Sequence, residues 1–392
     1  MEMEPPSHQR DTLNRNFPEH QPTAESTSGI PVACFSERTS MIVPPARCLF
    51  AVVLALTAPA VAGDLSAPGA LVPSRRDVTV VRADGSSFVA TLHYPGTSTA
   101  VGAPLDASAG PYPIIAFGHG FLSAVTLYQS SGAHLASWGF MTIMPQTQGG
   151  LLPSHGAFAA DLVSSLNWLA AQGATSGSPW FGGVDASARG VMGHSMGGGC
   201  SLLAAQADPG IRCAVPWAAA NTNPSSITAA LGVECATRLI VGSQDTIVTP
   251  SSTAAMYPNL AGASQLVTIT GGYHCGFIDS SIAFCDSGSI TREQQLAIVR
   301  RESTEFLLLY LKGQGALWNP VWGDPPAGAG VVQQSTQTPD LDGNGRVDGA
   351  DLGLMLSAFG ADDPSQAVRG DLNDDGQVDG LDLGVLLAGW TG

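Results

Sequence analysis

The segment Gly193-His194-Ser195-Met196-Gly197 sets a serine between two glycines, with the apolar pair Val191-Met192 before it and the helix-forming run Met196–Ala207 after it. A strand, a tight Gly-x-Ser-x-Gly turn and a helix together make an elbow that holds a serine hydroxyl exposed under backbone strain. Such a hydroxyl attacks only when a base takes its proton. Where the serine sits on an elbow of this kind, its partners follow in the order acid, then histidine. Only one histidine follows Ser195, namely His274 in Gly271-Gly272-Tyr273-His274. The acids between them are Asp208, Glu234 and Asp245. Asp208 ends a helix and Glu234 precedes a strand, whereas Asp245 comes directly after the apolar run Arg238–Val241. Carboxyl ends of strands are where catalytic groups gather, so Asp245 is expected to orient His274; capping of the turn before Pro250 is its other reading. An oxyanion needs two backbone donors. Met196, the residue after the nucleophile, supplies one, and Phe121 in Gly118-His119-Gly120-Phe121 the other. His119 precedes the serine and reads as structural, and His194 points away from the chemistry.

These residues need a scaffold that brings strand ends together. The stretch from Val78 to Tyr94 alternates around Asp84-Gly85, the pattern of a hairpin. Short apolar strands then alternate with helices. Strands are expected at 114–117, 141–144, 190–193, 214–216, 238–241 and 266–269. Helices are expected at 123–137, 156–171, 196–207, 252–260 and 291–312. Continuous apolar strands separated by helices imply an α/β fold with a mostly parallel sheet covered on both faces. No insertion long enough to form a lid lies between Pro216 and Thr237, which favours an open cleft.

Charge limits the partners. The chain has 392 residues and a formal net charge of −16. Residues 340–392 hold eleven Asp and two Arg, while residues 63–339 hold fifteen acidic and ten basic residues, and Lys312 is the sole lysine. Phosphate binding needs a basic footprint, so nucleic acid is not an expected partner. Near the N-terminus, Arg47, the apolar run 49–56 and Ala60-Val61-Ala62 make the three parts of a secretory signal. Residues 41–62 are expected to be removed by cleavage after Ala62. The run is too short to span a bilayer, so the mature chain is expected to have no transmembrane span. Residues 1–40 are polar and Pro/Ser-rich, and translation is expected to begin at Met41. An exported chain would keep Cys200, Cys213, Cys235, Cys275 and Cys285. That count is odd, so at least one thiol stays free, and Cys275 with Cys285 is the preferred disulfide.

The hydrolytic constellation, with Thr91-Leu92-His93-Tyr94-Pro95, Gly120-Phe121, Tyr128-Gln129-Ser130-Ser131, Gly183-Val184-Asp185 and Gly242-Ser243-Gln244-Asp245-Thr246, resembles the cutinase-type bacterial polyester hydrolases, including those acting on poly(ethylene terephthalate). The likeness runs from about Val78 to Lys312. It implies a secreted serine carboxylic-ester hydrolase of α/β-hydrolase fold with no cofactor for catalysis, Ser195, Asp245 and His274 as triad, and Phe121 and Met196 as oxyanion hole. Three departures stand out. His119 occupies a position usually held by Pro, Ala220 sits where an aromatic platform residue is usual with Trp217 displaced, and Cys275 does not match the start of the family's terminal disulfide. Met144-Pro145-Gln146-Thr147 is also similar to chlorophyllases, so small or lipid esters are alternative substrates. A non-catalytic binding protein on the same fold is the competing class.

The acidic tail is a repeat offset by 31 residues, from 340 to 371. Each copy offers oxygen ligands at the spacing of a calcium loop, with glycine at the sharp turn. The first uses Asp340, Asp342, Asn344, the carbonyl of Arg346, Asp348 and Asp351. The second uses Asp371, Asn373, Asp375, the carbonyl of Gln377, Asp379 and Asp382. Two Ca²⁺ ions are expected. Asp at the last position, with no helix before either loop, resembles a small all-α dockerin module. That likeness implies a cohesin-like scaffold or cell-surface partner, although Gly349-Ala350 and Gly380-Leu381 stand where partner-reading hydroxyl pairs are usual. The expected organisation is an N-terminal extension and signal (1–62), a hydrolase domain (63–322), an exposed Gly/Pro-rich linker (323–339) and the calcium repeats (340–392).

Overall fold

A computed structural model describes residues 63–360, 369–373 and 375–392. The signal segment expected at 41–62, and everything before it, lies outside the described residues.

One nine-stranded sheet runs in the order β1-β2-β4-β3-β5-β6-β7-β8-β9. The strands are β1 (Pro73–Val81), β2 (Ser87–Pro95), β3 (Tyr112–Gly118), β4 (Met141–Pro145), β5 (Val184–His194), β6 (Ile211–Trp217), β7 (Ala236–Gly242), β8 (Ser264–Ile269) and β9 (Val331–Thr336). The β1–β2 hairpin turns at Asp84-Gly85 as expected and joins β4 antiparallel. From β4 through β3 to β8 every pairing is parallel. The larger helices are α1 (Gln129–Ser137), α2 (His155–Ala174), α3 (Met196–Ala207) and α6 (Arg292–Lys312), with shorter α4 (Ser226–Ala229), α5 (Pro250–Ala254) and α7 (Trp318–Trp322).

Adjacent residues on the central strands go to opposite sides, the two-residue period of a pleated strand. Ile114, Val191, Ala214, Leu239 and Leu266 pack with α2 and α3, whereas Ile115, Met192, Val215, Ile240 and Val267 pack with α1 and α6. Two buried faces explain why these strands read as unbroken apolar runs. α6 starts at a Thr291/Gln294 capping box and ends at Gly313 in the left-handed region.

Two expectations need correction. The segment 323–339 is not a free linker throughout, because residues 331–336 form β9, antiparallel to β8 along six paired positions. An exposed edge of backbone donors and acceptors on β8 is satisfied by any extended segment that reaches it, and Gln333 adds a bond from its amide to the Val321 carbonyl. The helix expected at 252–260 breaks into α5 and a single 3-10 turn at Tyr257–Asn259, since Pro258 cannot supply a helical N–H.

The packing of α1 buries two histidines. Gly132 presses on the His93 ring from β2, and His134 Nε2 lies 2.9 Å from Thr304 Oγ1 of α6. Burial lowers the pKa of each to about 4. In the unfolded chain they protonate near pH 6.5. Stability is therefore lost as pH falls from about 6.5 towards 4, by on the order of 3 kcal/mol per histidine across the full window. In paired thermal scans between pH 7 and 4.5, wild type should lose Tm relative to His134→Gln as pH falls. A difference in Tm that does not change with pH would contradict this.

Candidate active site

β5 delivers Ser195 at the carboxyl edge of the sheet, and α3 begins at the next residue. Ser195 adopts φ 60°, ψ −120°, a strained conformation for a residue with a side chain, which persists only when its surroundings fix it. Here the Ser195 N–H donates to the Trp217 carbonyl at 2.9 Å, and the Ser195 carbonyl accepts from Gly199 and Ala220 at 3.1 and 3.0 Å. The flanking glycines are sterically required. A Cβ on Gly193 would fall 2.3 Å from the Gly197 oxygen, and one on Gly197 would fall 2.1 Å from the Gly118 oxygen.

The other two expected residues come together beside the elbow. His274 opens a 3-10 turn (His274–Phe277) after β8, and Asp245 lies in the loop after β7. His274 Nδ1 and Asp245 Oδ2 are 2.7 Å apart, and both side chains are buried. The second oxygen, Asp245 Oδ1, accepts the N–H groups of Ile247 and Val248 at 2.9 and 2.8 Å. Asp245 thus orders its own loop as well as holding the histidine, which leaves Nε2 as the basic nitrogen. Thr249, not Asp245, stands at the N-terminus of α5. Asp208 and Glu234 are not part of this pair.

His194 does more than point away. Its ring lies 4.5 Å from that of His274 and 5.4 Å from that of Phe277, between centroids. Complete burial, with His274 beside it, lowers its pKa well below the ordinary value, so it is a neutral wedge behind the His274 ring. Tyr128, to which the sequence assigned no role, completes this support. Its buried hydroxyl accepts from Gly120 N–H at 3.0 Å and lies 2.9 Å from His194 Nδ1. One hydroxyl therefore links the loop after β3 to the residue before Ser195.

Among the described residues, the N–H groups of Phe121 and Met196 donate to no protein acceptor, so both are available to a ligand oxygen. The Phe121 ring is half exposed and Met196 is buried. His119 is structural, its ring nitrogens 2.9 and 2.8 Å from the carbonyls of Gly120 and Thr147. Trp217 is core, with its indole N–H on Ser303 Oγ, so no aromatic ring stands at the Ala220 position. Between β6 and β7 the chain forms only α4 and a 3-10 turn, with no inserted cap domain. Exposed apolar side chains sit instead on the loops leaving the carboxyl ends of β3, β4, β7 and β8: Phe121, Leu122, Leu151, Leu152, Ile247 and Phe284. The expected disulfide forms between Cys275 and Cys285, and Cys200, Cys213 and Cys235 are free.

In the tail, the two loops repeat one hydrogen-bond pattern. Asp351 Oδ1 accepts from Leu341 and Asp342, and Asp382 Oδ1 from Leu372 and Asn373. Asp340 and Asp371 accept from Gly345 and Gly376. Asp348 and Asp379 instead cap the helices Gly349–Ala358 and Gly380–Ala388. Carboxylate oxygens of Asp340, Asp342 and Asp351 lie within 4.8 Å of one another. The second loop carries as many aspartates at its ligand positions as the first, with Asn373 at the third position and Asp375 at the fifth where the first has Asp342 and Asn344. Asn344 and Asp375 bond within their own loops, and Arg346 reaches Gly392 and Asp348. Gln377 donates its N–H to Asp375 Oδ1. The tail shares the core of α6 and α7: Leu341, Met355, Val378 and Leu386 are buried with Tyr310, Trp318 and Trp322, and the Arg369 guanidinium lies 4.5 Å over the Trp318 ring.

A mostly parallel sheet covered on both faces, with a strained serine elbow at its carboxyl edge, defines an α/β-hydrolase. Residues 73–286 match the PETase family, described as PET hydrolase-like, and the chain belongs to that family. It is also similar to a bis(hydroxyethyl) terephthalate hydrolase of Streptomyces coelicolor (strain ATCC BAA-471 / A3(2) / M145), at 32% identity over 199 residues. That match covers 46% of this chain and 60% of the relative's length.

Proposed function

We propose that this chain is a secreted serine carboxylic-ester hydrolase acting on terephthalate-type esters and polyesters. The observation that carries the reading is the buried Asp245–His274 pair at 2.7 Å beside a strained Ser195. Ser195 Oγ attacks the ester carbonyl as His274 Nε2 takes its proton, and Asp245 stabilises the resulting imidazolium. The tetrahedral oxyanion is held by the N–H groups of Phe121 and Met196. Collapse breaks the ester C–O bond, and the departing alcohol takes the proton from His274. A water, deprotonated by His274, then attacks the acyl-enzyme and frees acid and serine. This chemistry needs no cofactor. The lack of a cap and the apolar loops around the elbow support bulky, water-insoluble esters, and membership of the PET hydrolase-like family supports terephthalate as the acid. With no ring at Ala220, aromatic contact would fall to the exposed loop rings Phe121 and Phe284. Full-length protein should hydrolyse p-nitrophenyl butyrate and bis(hydroxyethyl) terephthalate, and Ser195→Ala should lose at least about 10³-fold in kcat. Turnover unchanged in Ser195→Ala would overturn the reading.

Export is supported by the sequence signal and by a disulfide, which persists in oxidising compartments. No described helix is long and apolar enough to cross a membrane. The tail is read as a dockerin-like module holding two Ca²⁺ ions, for which its donor set is suited: hard carboxylate oxygens crowd one loop, and Gly345 and Gly376 take the positive φ of the sharp turn. Burial, with the Asp351 and Asp342 charges nearby, pushes the Asp340 carboxyl up to about 6. A bound cation would neutralise this repulsion. A scaffold or cell-surface partner is supported by the exposed Leu381, Val385 and Leu387 on the second tail helix. Because the tail packs on α6 and α7, chelation should lower Tm and helical circular dichroism while initial ester turnover at 25 °C persists. Identical melting with and without chelator would contradict the calcium reading.

A further inference from the structure

We propose that Asp286 is a positioning residue that holds the acid loop and the base turn in register. This rests on the triad reading above and adds a residue to it. Asp286 Oδ2 accepts the His274 N–H at 2.9 Å and the Thr246 N–H at 3.1 Å, and Oδ1 accepts the Cys275 N–H at 2.9 Å. One carboxylate therefore takes the backbone of the base itself and of the residue that follows the acid. The preceding residue, Cys285, is bonded to Cys275, with Cα atoms 5.5 Å apart. Two consecutive residues thus fasten the base turn, one by a covalent bond and one by charge-assisted hydrogen bonds.

The loop that carries Asp286 is not built around a core of its own. Ile282 and Phe284 are exposed, and Cys285 and Asp286 are only half buried. Beside these bonds the loop gives the base segment a backbone bond from Ser289 N–H to the Gly271 carbonyl at 3.0 Å. The neighbouring peptide is fixed separately, since Gln295 accepts the Tyr273 N–H at 2.9 Å and donates to the Tyr273 carbonyl at 2.8 Å. Gln295 ties the turn to α6, whereas Asp286 ties it to the Asp245 loop. The Asp245–His274 bond spans 29 residues of sequence and two loops; Ser243 Oγ and the Gln244 N–H bind the base loop at Gly271 and Gly272, and Asp286 alone among the described side chains accepts from both Thr246 and His274. Catalytic geometry is steeply sensitive to such support, because a misplacement of about 1 Å can cost roughly 10²-fold in rate.

The test compares full-length Asp286→Ala and Asp286→Asn with wild type. It reads kcat and KM on p-nitrophenyl butyrate, near-ultraviolet circular dichroism, and the far-downfield proton resonance of His274 Nδ1–H shared with Asp245. Asp286→Ala should lower kcat by about 10- to 100-fold with KM within about twofold, and should weaken or broaden the resonance. Asp286→Asn keeps one acceptor oxygen and should fall between. The groups around the imidazole are Asp245, the neutral His194 and Asp286 itself, so a change of the resonance at constant pH reports the Asp245 bond. Wild-type kcat in Asp286→Ala, or a loss matched by unfolded protein with the resonance intact, would overturn the proposal. If the alanine variant does not fold, the asparagine variant decides by the same criteria. The resonance reports this clamp whether or not turnover depends on Ser195, so failure of the triad reading is seen separately in Ser195→Ala.

Discussion

Asp245→Asn is expected to lower kcat by about 10⁴-fold while KM stays within a small factor. The reason lies in the two faces of the carboxylate. Oδ1 accepts from two backbone N–H groups, of Ile247 and Val248, and Oδ2 faces His274 Nδ1. An asparagine must keep its carbonyl oxygen towards the two N–H groups, since an amide NH₂ there would meet donor with donor. Its NH₂ is then turned to His274 Nδ1, which must act as acceptor. The ring proton moves to Nε2, and the nitrogen facing the nucleophile can no longer take a proton. The loop bonds survive, so stability should change little. A steady-state assay with a melting curve checks both halves, and a loss of less than about tenfold in folded protein would count against the assignment of Asp245.

Gly197→Ala is expected to cost about 3 kcal/mol or more of stability and to remove most activity. The new methyl carbon would lie 2.1 Å from the Gly118 oxygen and 2.2 Å from the Gly118 carbon. Both are backbone atoms of the central strand β3, which also leads into the oxyanion loop, so no rotamer can relieve the clash. Either α3 moves away from the sheet or β3 bends, and each displaces Ser195 or the Phe121 donor. Gly150→Ala is the matched control, because a Cβ there meets nothing within 4 Å. Urea midpoints for the two variants should differ strongly. Equal midpoints would show that the glycines of the elbow are not sterically demanded.

Much of this arrangement is written locally in the chain. The elbow needs five residues and a strand and helix on either side. The β1–β2 turn needs Asp84-Gly85, and the Cys275–Cys285 bridge closes a short loop. Asp245 could be chosen over Asp208 and Glu234 because only it follows the carboxyl end of a strand. What escaped was set by long-range contact. β9 is a half-polar segment, Val331-Val332-Gln333-Gln334-Ser335-Thr336, in Gly/Pro-rich surroundings, and it becomes a strand because β8 offers it a free edge. Asp286 belongs to no motif, and Tyr128 stands in a family-like segment that gave it no role. Their roles come from packing that joins residues 66 positions apart in one case and 40 in the other. His194, set aside from its place next to the nucleophile, supports the base through ring contact, which a spacing rule does not convey. The helix expected from residue 123 opens instead as a 3-10 turn, Val125–Tyr128, whose last residue bonds Gly120 through its hydroxyl.

If Ser195 is the nucleophile, a reagent that traps it covalently must end on that residue. Full-length protein is incubated with a p-nitrophenyl phosphonate ester, the released p-nitrophenol is counted, and the digested chain is analysed by mass spectrometry. One equivalent should be released per folded chain, with a single phosphonyl adduct on the peptide carrying Ser195 and loss of ester turnover in step with labelling. Complete inactivation with no adduct on Ser195, or full turnover by chains labelled at Ser195, would contradict it.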